Sequence, residues 1–155
     1  MSLDHVAILT FDYHKAVSFY ETVLATLGYK RLITIEGDKA VGFGSRFPSF
    51  WIGPAKSTID KNSPQVGSHI AFVAKSRRQV DEFYQVALKN GAKDNGPPGV
   101  RPQYHRFYYG AFVIDADGNN VEAVNHFDWR VYIGWKTMIS PFLLVLVGVI
   151  MKKFF

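Results

Sequence analysis

The sequence predicts an α+β fold in which one β-α-β-β-β unit occurs twice in tandem and is followed by an apolar C-terminal helix. Three observations lead to this prediction. The chain matches itself at a constant offset, each copy begins with a strand and then a helix, and each helix is followed by short strands separated by turn residues. At 155 residues, the chain is long enough to bury a core of its own.

The self-match has an offset of 64 residues and contains no gap. His5–Leu9 aligns with His69–Val73, and the Phe-Tyr pair Phe19–Tyr20 aligns with Phe83–Tyr84. A fixed period of this length indicates a structural unit that has been duplicated. We therefore predict that the two halves have the same architecture.

The elements of each half follow from apolar spacing and turn residues. Apolar side chains recur at helical spacing after each first strand, Asp12 and Ser76 are suited to cap the helices, and Gly28 and Gly91 stand where such helices end. Residues 95–102, rich in Gly and Pro, are predicted to form a loop. The strands predicted after the helices are Tyr29–Ile35, Ala40–Gly44 and Ser49–Gly53 in the first copy, and Tyr108–Asp115 and Asn120–Asn125 in the second.

The domain organisation follows from these elements. Residues 1–127 are predicted to form one domain, with module one at 1–56, a polar linker at 57–66 and module two at 67–127. Residues 128–155 form a C-terminal hydrophobic tail. The formal net charge is +5, but the tail alone contributes +3 of it. The rest of the chain has no basic stripe with interleaved aromatic side chains, so we predict no nucleic-acid partner.

The tail is predicted to be a membrane anchor. Met138–Met151 contains no charged side chain and would span about 21 Å as a helix. Extension back to Val131 gives about 31 Å, close to the thickness of the hydrocarbon core of a bilayer. Two alternatives are a helix packed on a partner protein and a tail that stems from an alternative gene model. Because the N-terminus does not resemble a signal peptide, we expect a cytoplasmic domain that the tail tethers to an intracellular membrane.

The chain contains no cysteine, which restricts its metal chemistry. Disulfides, thiolate zinc sites and a cysteine nucleophile are all excluded. A divalent metal would have to be held by histidine and carboxylate side chains, a ligand set that suits Zn, Mn, Fe, Co or Ni.

Several motifs resemble the vicinal-oxygen-chelate superfamily, which includes glyoxalases, bleomycin-resistance proteins and extradiol dioxygenases. They are His5-Val6 at the first strand, the Phe19-Tyr20 helix, the segment 67–72 that opens the second copy, and the segment 115–122 that ends in Glu122. The resemblance covers residues 3 to about 126. It implies that each copy forms half of a barrel and that His5, His69 and Glu122 bind a metal inside it.

Two imidazoles and one carboxylate suit that role chemically. Such a triad leaves coordination positions open for a bidentate substrate, and a metal held by a single negative ligand can stabilise an oxyanion. A buried Glu122 is also costly unless it is paired or bound to a metal. The alternative is that His5 and His69 are repeated residues at the starts of strands, partly exposed and without chemical function.

One position departs from the glyoxalase pattern. Alignment of the last strands of the two copies places Trp51 opposite Glu122, where the resemblance would require a second carboxylate. We therefore expect that the chain is not a typical lactoylglutathione lyase. A set of three ligands is more similar to fosfomycin-modifying transferases and extradiol dioxygenases of the superfamily.

The segment 99–109 is the richest in functional side chains. Arg101 is predicted to bind substrate because guanidinium groups pair with carboxylates and phosphates, and Tyr104 and His105 are predicted to transfer protons. Trp51, Phe43 and Tyr109 are predicted to line the substrate pocket. The alternative is that the aromatic side chains cap an open barrel and that the arginines are solvated.

Three functions compete. The first is a divalent-metal-dependent lyase, isomerase, transferase or dioxygenase that acts on a small vicinal-oxygen substrate. The second is a protein of the bleomycin-resistance kind that binds a small molecule without catalysis. The third is a membrane-tethered scaffold whose site has decayed. The two copies can pair edge to edge within one chain, or they can exchange in a homodimer so that His5 of one chain meets His69 and Glu122 of another chain.

Overall fold

A computed structural model of the chain describes residues 3–37, 39–56 and 67–126. The predicted linker at 57–66 and the predicted hydrophobic tail at 128–155 lie outside these residues. No helix within the described ranges is long and apolar enough to cross a membrane.

Module one contains four strands and one helix. Its elements in chain order are β1 (Val6–Thr10), α1 (Tyr13–Ala25), β2 (Lys30–Ile35), β3 (Ala40–Gly44) and β4 (Phe50–Pro54). The sheet has the order β1-β4-β3-β2, so the first strand pairs in parallel with the last. The remaining two pairs of strands are antiparallel.

Module two repeats this topology and confirms the predicted duplication. Its elements are β5 (His69–Val73), α2 (Arg77–Lys89), β6 (Lys93–Val100), β7 (Tyr109–Ile114) and β8 (Asn120–Asn125). The sheet order is β5-β8-β7-β6, with β5 parallel to β8. Each module is thus one four-stranded sheet with one helix, as expected for an α+β fold.

The prediction of a loop at residues 95–102 is wrong for most of that segment, because residues 93–100 form strand β6. β6 lies at the edge of its sheet, where a proline that lacks an N–H does not break the pairing on both sides. The register shifts between Asp94 and Gly96 and again between Gly96 and Gly99. The Gly and Pro residues that resemble a loop in the sequence therefore mark β-bulges of an edge strand.

The helix ends agree with the capping predictions. The Asp12 side chain accepts a hydrogen bond from the backbone N–H of Lys15, and that of Ser76 accepts one from Gln79. These bonds satisfy N–H groups that have no partner within the helix. Gly28 and Gly91 have φ angles of 84° and 91°, which residues with a Cβ atom rarely adopt.

The core lies between each sheet and its helix and continues across the two modules. Helix α1 contacts α2, and the rings of Phe50 and Phe72 pack edge to face with centroids 5.2 Å apart. Phe72 lies on the α2 side of its sheet. Since neighbouring residues of a strand point to opposite faces, the other face of module two contains His69, Ala71 and their cross-strand partners. We call this second side the open face.

The first strands of both modules leave one edge unpaired in the described part of the chain. β1 pairs only with β4, and β5 pairs only with β8. At equivalent positions on these strands, the side chains of Leu9 and Val73 are 57% and 64% exposed. Large apolar side chains at an unpaired strand edge are typical of surfaces that another sheet or chain covers.

Candidate metal and substrate site

Glu122 is the centre of the candidate site. It lies on β8, where it pairs with Ala71 of β5 and Phe112 of β7, and is only 1% exposed. One carboxylate oxygen, Oε2, is 3.0 Å from His69 Nε2, and the other, Oε1, accepts a 2.5 Å hydrogen bond from the Tyr108 hydroxyl. Both oxygens of this buried acid therefore have a polar partner, as a buried carboxylate requires.

The absence of a side chain at position 110 makes room for this arrangement. A Cβ on Gly110 would lie 2.9 Å from Glu122 Oε1 and 3.1 Å from Cε1 of Tyr108. Any residue other than glycine would therefore have to displace the carboxylate or the tyrosine ring.

The site keeps Tyr108 in its protonated form. Burial raises the pKa of the Tyr108 hydroxyl above its usual value, and the hydrogen bond to Glu122 raises it further. The neutral hydroxyl therefore remains a donor at any pH near neutrality. Tyr108 holds the carboxylate from one side, while the half-exposed ring of His69 holds it from the other.

Arg101 lies beside this centre. Its guanidinium donates a hydrogen bond of 2.6 Å to the carbonyl oxygen of Pro97, and its Cζ is 5.5 Å from the centroid of the Phe112 ring. The His69 ring approaches the same Phe112 ring, with centroids 6.1 Å apart. The guanidinium and the imidazole thus share one aromatic neighbour on the open face.

A group of rings surrounds Tyr108 on its other side. Tyr104 and His105 contact the Tyr108 ring at 4.7 and 5.4 Å between centroids, and His126 contacts it at 5.1 Å. His105 Nε2 lies 3.0 Å from Nδ1 of His126. Because the backbone N–H of Phe107 donates to His105 Nδ1, the proton of a neutral His105 is on Nε2 and is donated to His126.

Tyr108 and His126 are site residues that were not predicted from the sequence. Strand alternation could have found His126, because it follows Glu122 by four residues and therefore lies on the same face. Tyr108 could have been found in the same way, since it precedes Gly110 by two residues.

His5 is not brought to His69 and Glu122 within the chain. Its ring contacts Asp4, with Nδ1 2.5 Å from Oδ1, and Trp51, with centroids 6.4 Å apart. Within the described ranges, no group of three His, Asp or Glu side chains is arranged to hold a metal ion. The predicted ligands therefore form a pair in module two and a separate residue in module one.

The predicted pocket residues fall on different faces of the sheets. Trp51 is half-buried beside His5, and its ring covers Gly42, where a Cβ would meet the indole at 3.1 Å. Phe43 is 1% exposed and belongs to the core, because it shares the helix-facing side of β3 with Val41. Tyr109 donates a hydrogen bond to Asp81 of α2, so it also points away from the open face.

A cavity of about 490 Å³ lies elsewhere in the molecule. It is formed by α1, the end of α2 and the turn between β7 and β8, and Lys15, Phe19 and Asn90 are among its lining residues. None of the predicted site residues lines it. We assign the candidate site to the open face because the buried carboxylate and its partners are there.

Comparisons with known proteins agree with this fold. Residues 2–123 match the sequence profile of the family described as the Glyoxalase/Bleomycin resistance protein/Dioxygenase superfamily. No curated protein sequence matches the chain significantly.

Solved structures show the same fold. A glyoxalase/bleomycin resistance protein from Albidiferax ferrireducens T118 is 25% identical, with a TM-score of 0.62, and the match covers 79% of this chain and 97% of that one. An enzyme of the glyoxalase/bleomycin resistance protein/dioxygenase family from Burkholderia phytofirmans PsJN is 21% identical, with a TM-score of 0.64 and coverage of 82% and 100%. A lactoylglutathione lyase from Agrobacterium tumefaciens is 20% identical, with a TM-score of 0.58 and coverage of 80% and 92%.

Proposed function

Since the chain belongs to the Glyoxalase/Bleomycin resistance protein/Dioxygenase superfamily, we propose that it is a divalent-metal-dependent enzyme that acts on a small molecule with two neighbouring oxygen atoms. The observation that carries the proposal is the contact between His69 and the buried carboxylate of Glu122 on the open face. The reaction class that we propose is that of a lyase, isomerase, transferase or dioxygenase.

The donor atoms of this pair suit the proposed metal. An imidazole nitrogen and a carboxylate oxygen 3.0 Å apart are ligand types that bind Zn, Mn, Fe, Co or Ni. When bound, such a cation would supply Lewis-acid stabilisation of an oxyanion on the substrate. Tyr108 would keep Glu122 oriented by its hydrogen bond to Oε1, as partners of metal-binding carboxylates generally do.

We further propose that His5 of a second chain, in a homodimer, completes the ligand set. His5 directly precedes β1 and His69 begins β5 at the equivalent position, and each of these strands has one unpaired edge in the described part of the chain. The exposed apolar residues Leu9 and Val73 follow the two histidines at the same distance. If module one of one chain docked on module two of the other chain, both apolar strand edges would be covered. This docking would also bring a third ligand to Glu122. A symmetric homodimer would then contain two identical shared sites.

Tyr104 and His105 remain the proposed proton-transfer residues. Both rings pack on Tyr108, the direct hydrogen-bond donor to Glu122, so they lie next to the proposed reacting centre. Trp51 stands where a glyoxalase of the usual kind would have a second carboxylate. We therefore do not propose lactoylglutathione lyase activity, which needs that carboxylate as a base.

Metal analysis of the purified full chain tests the enzyme proposal. After removal of metals and addition of Mn, Fe, Co, Ni or Zn in turn, we expect one equivalent per chain to remain after desalting. We expect His69→Ala and Glu122→Ala to lose it. His14→Ala is the control, because His14 lies on α1 and outside the candidate site. Absence of a retained metal under every condition would contradict the proposal.

Mixing of two inactive variants tests the shared site. His5→Ala and Glu122→Ala chains are each expected to lose the metal. In a mixed dimer, one site takes His5 from one chain and Glu122 from the other, so about a quarter of the sites should recover after random exchange. A full chain that binds one metal as a monomer would show that the site is not shared.

A non-catalytic binding protein is the second candidate. The exposed apolar side chains at the strand edges and the half-buried Trp51 favour it, because apolar and aromatic side chains can contact an apolar ligand without any metal. This function predicts ligand binding that is unaffected by chelators and by Glu122→Gln.

The proposed membrane anchor concerns residues outside the described ranges and rests on their sequence alone. It is tested by cell fractionation of the full chain and of a Leu144→Lys, Val147→Lys double variant. Recovery of both proteins in the membrane-free fraction would contradict it.

A further inference from the structure

We infer that the substrate carries an anionic group, a carboxylate or a phosphate or phosphonate, and that Arg101 binds it on the open face. The inference rests on the proposed function in one respect, since it takes the open face of module two as the substrate site. It adds the charge class of the substrate, which the metal ligands do not determine.

The position of the guanidinium is fixed by backbone contacts. The backbone N–H of Arg101 donates to the carbonyl oxygen of Tyr108 at 2.8 Å, which ties the end of β6 to the residue that holds Glu122. Nη2 donates to the carbonyl oxygen of Pro97 at 2.6 Å, and Nη1 lies 3.5 Å from that of Val100. A side chain that is anchored in this way loses little conformational freedom when a ligand binds.

The charge of Arg101 is not neutralised by the described part of the chain. Its side-chain contacts there are two carbonyl oxygens and the Phe112 ring, and it forms no ion pair with a carboxylate. The Glu122 carboxylate contacts His69 and Tyr108 instead and forms no ion pair with Arg101. A guanidinium cannot deprotonate in a protein and has five N–H donors. Donors therefore remain free for an anion, and bidentate pairing is the strongest arrangement that they can form.

Two glycines of β6 leave the space that the guanidinium occupies. A Cβ on Gly99 would lie 2.7 Å from Nη1 of Arg101, and one on Gly96 would lie 3.5 Å from Nη2 and 3.1 Å from the Phe112 ring. The bulged edge strand is thus shaped to receive this side chain over Phe112. An arginine that merely projects into solvent would not need such a recess.

The position of the Arg101 guanidinium relative to His69 determines how a substrate would lie on the open face. The guanidinium and the imidazole both neighbour the Phe112 ring. In the arrangement that we infer, the anionic group of the substrate lies at Arg101, its neighbouring oxygens lie at a cation that His69 and Glu122 would hold, and its carbon skeleton lies over Phe112. The two ends of the substrate are then recognised by different chemistry.

Ligand-observed NMR on the full chain tests this inference in the presence of EDTA, so that metal binding does not contribute. The probes are benzoate, phenylphosphonate and inorganic phosphate, with benzamide as the uncharged match to benzoate. We expect benzoate or phenylphosphonate to bind at least about ten-fold more tightly than benzamide, the size of a charge-assisted hydrogen bond. The ratio of benzoate to phenylphosphonate affinity identifies which anion the site prefers.

Variants separate Arg101 from the general charge of the protein. Arg101→Met should abolish the preference for anions, and Arg101→Lys should restore part of it with the charge but without the fork of donors. Arg78→Met, which removes an exposed arginine of α2, should have no effect. Should Arg101→Met fail to fold, Gly99→Ala provides a second variant, since its Cβ displaces the guanidinium. Equal binding of benzoate and benzamide to the wild type would overturn the inference. An anion preference that survives unchanged in Arg101→Met, or in Gly99→Ala if Arg101→Met does not fold, would overturn it as well. Neither outcome affects the metal proposal, which is measured without these probes.

Discussion

The Tyr20 hydroxyl donates a 2.6 Å hydrogen bond to Oδ2 of Asp115, and this bond joins α1 of module one to the turn between β7 and β8 in module two. Asp115 is itself held by the backbone N–H groups of Asp117 and Asn119 and by the Asn119 side chain. The link is therefore a fully satisfied buried network. It fixes the relative position of the two modules more specifically than apolar packing alone can do.

Tyr20→Phe is expected to lower the free energy of unfolding by about 1–3 kcal/mol, because Asp115 loses a buried donor. Chemical denaturation of the full chain measures the change. Tyr29→Phe is the matched control, since the Tyr29 ring packs on Phe72 while its hydroxyl has no hydrogen bond among the described residues. An equal loss in the two variants would show that the bond to Asp115 has no special value.

The buried Tyr20 hydroxyl also makes the stability of the protein dependent on pH in the alkaline range. Burial and the neighbouring Asp115 raise the pKa of Tyr20 well above its usual value. The unfolded chain therefore loses the Tyr20 proton near pH 10, while the folded chain retains it. Stability is fully present below that pH and decreases as pH rises beyond it, by about 1.4 kcal/mol per pH unit for one such group.

Denaturation midpoints measured between pH 8 and about 11.5 test this slope, given the ordinary tyrosine pKa near 10. Tyr20→Phe should be less stable at pH 8 but should lose less stability as pH rises. Parallel pH profiles for wild type and variant would contradict the prediction.

Tyr108→Phe is expected to weaken the affinity for a divalent metal by about 10- to 100-fold, as loss of a hydrogen bond to a metal-binding carboxylate usually does. The ring and its contacts remain, so the effect isolates the hydroxyl. Competition with a chromogenic chelator gives the affinity. Tyr109→Phe is the control, because the adjacent hydroxyl bonds Asp81 on the opposite side of the sheet. Unchanged affinity in Tyr108→Phe would exclude Tyr108 as the residue that positions Glu122.

Gly110→Ala is expected to reduce both stability and metal retention, because its Cβ would approach Glu122 Oε1 to 2.9 Å. Overpacking of this kind costs about 1–3 kcal/mol. Gly53→Ala offers a control on β4 of module one, where a Cβ would meet its nearest atom at an ordinary 3.4 Å. Thermal unfolding and metal analysis of both variants measure the difference. A Gly110→Ala protein that resembles Gly53→Ala in both measurements would show that the space beside Glu122 is not needed.

The duplication could be predicted because the sequence matches itself and because each copy has recognisable strand and helix patterns. The matched histidines and Phe-Tyr pairs show the repeat when the sequence is compared with itself, and the caps at Asp12 and Ser76 depend only on residues close in sequence. The structure confirms the strand and helix that they predict in each copy. The edge strand β6 was missed because Gly and Pro are typical of loops, and only the position of a strand in the sheet makes them acceptable there.

The site was harder to predict because it depends on the face of the sheet on which each side chain lies. Phe43 shares its face with Val41 and not with the glycines on either side, so alternation alone would have placed it in the core. The approach of Arg101 to Phe112 depends instead on two bulges in β6, which shift the register. No local pattern in the sequence gives the extent of such a shift.

The separation of His5 from His69 has a consequence for the protein at low abundance. If each site draws ligands from two copies, the number of complete sites follows the monomer–dimer equilibrium and not the total amount of chain. Dilution below the dissociation constant of the dimer would then abolish activity although each module stays folded. The expression level itself would act as the control of activity.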